Sequence, residues 1–451
     1  MTVKIASIQG SRRLTFCSAK LLAPCLHMLP NEAGPNGAGG FTDLEQRYRN
    51  RPLDFIMNPS SRSVIRARHA MNTFIRSFLD ERGYVGVETA ILPQNAGGAS
   101  ARPFITYHND LKRDNYLRIA PELYLKQLIV GGERRVYKLG KVFRNEDIDL
   151  THNPEFTSVE FYQADAEYNM MMKMTEEMVS GLVREVAGSD VTKYTSQTGE
   201  TVEIDWRAPW KRIDMIPALE TACGVKFPGE LDTEDTRQFL LGILRERNID
   251  CPAPQTNARM LDKLVGGYIE SGITNPTFIV HHPVLMSPLA KQHRSMPGLT
   301  ERAEAFVCGR EICNLFSELN DSAEQCRRFE EQARQKAQGD AEAQGVDEDF
   351  IRALEYGMPP TGACGIELDR LLMFITNNYS IKEVLAFPMM RDERRNGTGA
   401  AAPAAASVTV EPTENQRRRV ELEEKIAKVE AEFKEQMAKL EAKMASLTVE
   451  P

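Results

Sequence analysis

Three short runs in this 451-residue chain carry side chains suited to phosphate and ring chemistry. Val142-Phe143-Arg144-Asn145-Glu146 places one arginine on a strand-like stretch, and His152-Asn153-Pro154-Glu155-Phe156 supplies an aromatic ring on the returning stretch. Gly365-Ile366-Glu367-Leu368-Asp369-Arg370 brings a second arginine much later in the chain. A guanidinium grips phosphate through two parallel N–H donors and also stacks on flat rings. Arg144 is therefore a candidate phosphate ligand, and Arg370 with Phe156 can cover the two faces of a planar base. Several acids are spread among apolar stretches, and carboxylates buried together at one site require a cation.

Such groups need a scaffold to hold them. Apolar residues at helical spacing predict a helix over 61–82, ended by Gly83, and a strand over 84–92. Further strand-like stretches fall at 116–119, 135–143, 155–162, 277–280, 305–307 and 312–316, which predicts a mixed, largely antiparallel sheet flanked by helices. Cys308-Gly309-Arg310 reads as a hairpin turn between Glu304 and Glu311. Along the second strand Asn314, Phe316 and Glu318 share a face by parity. Glu311 then falls on the opposite face, so its convergence with them requires a bulge or an edge geometry.

With 42% hydrophobic residues the chain can bury a large core, as one big domain with appendages or as two domains. No apolar run approaches the roughly 18 residues that span a bilayer. A net charge of −8 means that any RNA contact must be a local basic patch. The eight cysteines form no CxxC pair and the seven histidines no metal-ligand spacing, which points to reduced thiols in a cytosol-like compartment. Residues 1–31 hold Lys4, Arg12, Arg13 and Lys20 without any acid, the composition of an organellar targeting segment, so a mitochondrial destination is the alternative. Residues 206–275 read as a helical insertion, 396–413 as a flexible linker, and 414–451 as a charged amphipathic helix with Leu422, Ile426, Val429, Phe433 and Met437 on its stripe.

The Arg144 and Arg370 runs, in that order, resemble motifs 2 and 3 of the class II aminoacyl-tRNA synthetases. Four more segments, beginning at Gly97, Arg118, Met286 and Ser317, resemble lysine--tRNA ligases, and the resemblance covers nearly all of 44–391. It implies an α+β class II catalytic domain over 43–395 and a homodimer formed through motif 1, which the helix and strand of 61–92 resemble. It implies a cytoplasmic enzyme that activates lysine with ATP to lysyl-adenylate and transfers it to tRNA(Lys). Residues 1–42 would be the remnant of an anticodon-binding barrel and its link, and the C-terminal helix would have a partner of its own.

On the same resemblance Arg144 and Arg370 are catalytic, and Arg144, Glu146, His152, Phe156 and Arg370 bind ATP. Gly98, Glu122, Glu160, Tyr162, Asn314, Phe316 and Glu318 bind lysine, and Glu304 and Glu311 hold Mg²⁺. Two alternatives are a protein-lysine ligase of the elongation-factor-modifying type and an impaired paralogue that acts as a binding protein. The second arises because Glu367 stands where the family has Gly. A Glu adds bulk and negative charge beside phosphates, and a positive φ there would add strain of about 1–3 kcal/mol.

Overall fold

In the computed structural model the described residues are the backbone of 2–8 and 11–18, residues 25–30, 40–337 and 345–391, and single helical positions between 424 and 439. They fall into two compact units, 43–390 and a second made of 1–42 with 391–451. In the second unit the strands β1 (Thr2–Ile8) and β2 (Ser11–Ser18) pair antiparallel. Glu424, Lys428, Glu432 and Glu435 are helical and exposed. The expected linker and apolar stripe lie outside the described residues.

The larger unit opens with α1 (Leu44–Arg49), capped by Asp43, and α2 (Arg51–Met57). They lead into α3 (Pro59–Asp80), whose Val64, Met71, Ile75, Phe78 and Leu79 are buried on one stripe. Gly83, at φ +74, ends the turn that follows. The strand expected over 84–92 is reduced to β3 (Val85–Gly86). Beyond Val87 the chain leaves the sheet, because the Ile91 and Pro93 carbonyls accept from Arg118 and Tyr116 N–H instead. The strand expected at 116–119 likewise ends at Tyr116, in a hairpin of β4 (Ile105–His108) and β5 (Arg113–Tyr116).

After α4 (Glu122–Val130) come β6 (Arg135–Phe143), β7 (Glu155–Ala164) and α5 (Tyr168–Ala187), then a separate hairpin of β8 (Val191–Thr195) and β9 (Thr201–Asp205). β10 (Lys211–Asp214), β11 (Thr277–Val280), β12 (Arg302–Val307), β13 (Arg310–Ser317) and β14 (Thr361–Glu367) complete an eight-stranded sheet of order 10-11-12-13-14-7-6-3. Only its outermost pairs, β10 with β11 and β3 with β6, are parallel, so the mixed, mostly antiparallel sheet is observed. Helices α6 (Met215–Cys223), α7 (Glu234–Glu246) and α8 (Asn257–Tyr268) lie within the 206–275 span and share their own apolar cluster with Ile279 and Phe306.

The two faces of the sheet differ in character. Val159, Phe161, Ala305, Leu315, Cys364 and Ile366 point to one side, in a buried cluster with residues of α3, α5 and α11 (Leu368–Ile375). Each large side chain buried there contributes roughly 1.5–3 kcal/mol. The alternate residues face the other side. One end of that side is closed by α4, α9 (Ser322–Ala337) and α10 (Glu348–Glu355), through Leu123, Ile129, Phe329 and Phe350 packed with Tyr162 and Phe316.

Candidate active site

The second sheet face opens on a cavity of about 290 Å³. Its wall gathers Arg144 from just beyond β6, Glu160 and Tyr162 from β7, Glu304 from β12, Glu311, Asn314 and Phe316 from β13, and Glu367 from β14. Gly98 and Glu122 join from a loop and from the first turn of α4.

Glu311 reaches this wall through a bulge. Ala305 pairs with Cys313, but Phe306 pairs with Glu311, which leaves Ile312 without an opposite residue. Ile312 and Cys313 both enter the apolar cluster behind the sheet, and Glu311 stays on the face of Asn314 and Phe316. The turn between the strands has Cys308 and Gly309 at φ +49 and +69, the left-handed pair that a two-residue hairpin requires.

At one end the cavity is acidic. Tyr162 Oη donates to Glu160 Oε2 at 3.2 Å. Burial, and then the neighbouring Glu122, push the Glu160 carboxyl up to about 8. Two glycines make room for these acids. A Cβ at Gly365 would stand 3.3 Å from Glu160 Cγ, and one at Gly98, where φ is +89, would stand 3.0 Å from Glu122 Cβ.

Glu318, expected on the same wall, lies fully buried behind it. Its Oε2 is 2.5 Å from Lys126 Nζ, and Glu122 Oε1 is 2.6 Å from the same nitrogen. Burial pushes both carboxyls up, and the Lys126 ammonium opposes it. Sequence reasoning missed Lys126. The available signal was its position four residues after Glu122 on a helix, the spacing of an ion pair.

At the other end the Arg144 guanidinium lies over the Phe156 ring, 5.0 Å from its centroid, and its buried Nε has no partner among the described residues. Arg144, Glu146, His152, Phe156 and Glu367 line an adjoining cleft of about 20 Å³. Asp149 Oδ2 holds His152 Nδ1 at 2.8 Å. Arg370 stands apart from both walls. It is 6% exposed and sits behind Glu367, with Nη2 2.8 Å from Glu367 Oε2 and Nη1 donating to Glu311 O. Glu367 itself has φ −83, so the strain anticipated from a positive φ is absent.

Glu304 lies beside His282 Nε2, at 3.1 Å, and Arg302 Nη2. Burial alone would raise its carboxyl, but Arg302 and His282 outweigh that and hold it at about 2. Burial, then repulsion from Glu304 and Glu367, push Glu311 up to about 8. Two carboxylates, one of them held protonated by burial and then by the other's charge, are hard oxygen donors that fit a divalent cation. Among the described residues no group of three or more His, Cys, Asp or Glu forms a metal site by itself, so further ligands would have to come from phosphates or water.

The sequence pattern of the family described as tRNA synthetases class II (D, K and N) matches residues 43–391. The chain belongs to the class II tRNA synthetases. Within them it is similar to lysine--tRNA ligases. It is 57% identical over 379 residues to the lysine--tRNA ligase cla4 of Cladosporium cladosporioides, an alignment covering 84% of this chain and 63% of that protein. It is 48% identical over 378 residues to a probable cytoplasmic lysine--tRNA ligase of Encephalitozoon cuniculi, covering 83% and 73%. It is also 48% identical over 365 residues to the lysine--tRNA ligase of Thermosynechococcus vestitus, covering 80% and 70%. The chain thus spans about two thirds of the length of these synthetases. No helix among the described residues is long and apolar enough to cross a membrane.

Proposed function

We propose that this class II synthetase is a lysine--tRNA ligase, forming lysyl-adenylate from lysine and ATP and passing lysine to tRNA(Lys). The observation that carries the reading is one cavity with acids at one end and Arg144 over Phe156 at the other. Glu122 takes the α-ammonium of lysine beside Gly98, and Glu160 with Tyr162 takes the side-chain ammonium. Asn314 and Phe316 shape the wall. Glu318 acts from behind, through Lys126.

In the activation step a carboxylate oxygen of lysine forms a bond to the α-phosphorus of ATP, and the bond from that phosphorus to pyrophosphate breaks. Arg144 neutralises the α-phosphate and aligns it, and this positioning lowers the barrier. Phe156 covers the adenine, Glu146 and His152 read its edge, and Arg370 serves the nucleotide once it leaves Glu367. Glu304 and Glu311 would hold Mg²⁺, which when bound screens charge on the phosphates. A tRNA ribose hydroxyl then attacks the lysyl carbonyl and AMP departs.

A homodimer through α3 and β3 is supported by the exposed apolar residues Ile56, Val85, Ile91 and Leu92 in and near these elements. The β1–β2 hairpin is consistent with part of an anticodon-binding barrel. The cytoplasm is the proposed compartment. Lysine-dependent exchange of labelled pyrophosphate into ATP tests the reading. Exchange with lysine and not with arginine or norleucine is expected, and none with any amino acid overturns it.

A further inference from the structure

The large cavity and the small cleft meet at one side chain, because Glu367 lines both. Its Oε2 lies 2.8 Å from Arg370 Nη2, and the other terminal nitrogen of Arg370 donates to Glu311 O. Both arms of this guanidinium are therefore turned to acceptors of the protein itself. Its buried Nε has no partner among the described residues, so the arginine is held but not fully satisfied. The Glu367 side chain is 23% exposed and that of Arg370 7%, which puts the carboxylate at the cavity surface and the cation behind it. The cleft that Glu367 borders, about 20 Å³, has room for little more than a water molecule.

Resting on the reading of this cavity as an ATP site, we propose that Glu367 sets the nucleotide affinity of the enzyme, by holding Arg370 in an ion pair that ATP must displace. A carboxylate and a phosphate compete for the same planar fork of donors. While the pair is closed, Arg370 is withheld from the nucleotide and the Glu367 carboxylate stands in front of it at the cavity surface. The apparent affinity falls by the fraction of molecules in which the pair is open. Glu311 adds to the effect from the other side, since its backbone carbonyl holds the second arm of Arg370 and its carboxyl faces the same cavity.

The test is calorimetric titration of the full chain with ATP and Mg²⁺, for wild type, Glu367→Ala and Glu367→Gln. The Ala variant is expected to bind ATP about tenfold tighter, and the Gln variant, which keeps the volume and loses the charge, to recover most of that gain. The KM for lysine in pyrophosphate exchange should move by less than about twofold, because uniform loss of binding would shift both substrates. Should Glu367→Ala fail to fold, Glu367→Gln still decides. If wild type binds ATP and the folded variants bind it no tighter, this proposal fails while the reading of the cavity survives. If no form binds ATP, the reading of the cavity fails and takes the proposal with it. Binding that appears only in the variants supports both.

Discussion

Lys126 Nζ lies 2.5 Å from Glu318 Oε2, and neither side chain has any exposure to solvent. Deleting Lys126 strands Glu318 together with Glu122, which shares the same nitrogen, at a cost of about 3–5 kcal/mol, whereas removing Glu318 as well leaves only Glu122 without its cation. Lys126→Met is expected to lose stability in that range, and Lys126→Met with Glu318→Gln to recover part of it. Urea unfolding curves of the three proteins give the comparison, and equal losses in the single and double variants would rule out the pair as the cause.

Glu160 carries a pH signature. Its carboxyl sits at about 8 in the folded protein against 4.5 for an ordinary Glu. It stays protonated in the folded state, so its contribution to stability is complete below 4.5 and is lost as pH rises toward 8. Taking up an ammonium ionises it and releases that proton. The KM for lysine should therefore fall roughly tenfold between pH 6.5 and 8.5 in wild type and stay flat in Glu160→Gln. A wild-type KM indifferent to pH would remove Glu160 from the lysine site.

Arg144 is the cation nearest the reacting phosphate in this scheme. Arg144→Ala should lower the exchange rate about a hundredfold or more, and Arg144→Lys should not rescue it, since a point charge lacks the two-pronged geometry. Exchange kinetics with both substrates saturating measure this. Full activity in the Lys variant would show that charge alone suffices.

Gly98 and Gly132 make a matched pair. Both have positive φ, +89 and +104, but a Cβ at 98 meets Glu122 at 3.0 Å while a Cβ at 132 meets nothing within 4 Å. Alanine at either position should lower stability by about 1–3 kcal/mol. Only Gly98→Ala should raise the KM for lysine, by displacing Glu122. Thermal unfolding and exchange kinetics on the two variants separate backbone strain from site distortion.

Much of the wall was legible because its residues sit in short local runs. Alternation alone sets Glu160 and Tyr162 on one side of β7, and parity demanded that something break the pattern before Glu311. It did not say where, since Ile312 reads like any other apolar strand residue. The 84–92 stretch misled for a related reason. Its residue types suit extended backbone whether the partner is a sheet or a loop, and here the partner is the loop through Arg118. Lys126 four residues after Glu122, and Arg370 three after Glu367, stand at ion-pair spacing. The second meeting of Lys126, with Glu318, depends on how α4 seats against the sheet, and no spacing rule encodes that.

Ile312 occupies a slot that the ladder between β12 and β13 does not need. Were Ile312 kept but drawn into a regular ladder, the two strands would fall into step and half of the hairpin would have to turn over. Either an acid headgroup would be driven into hydrocarbon or oily side chains would line the hollow meant for charged metabolites. The surplus aliphatic is harmless to the acids only because the backbone steps aside for it.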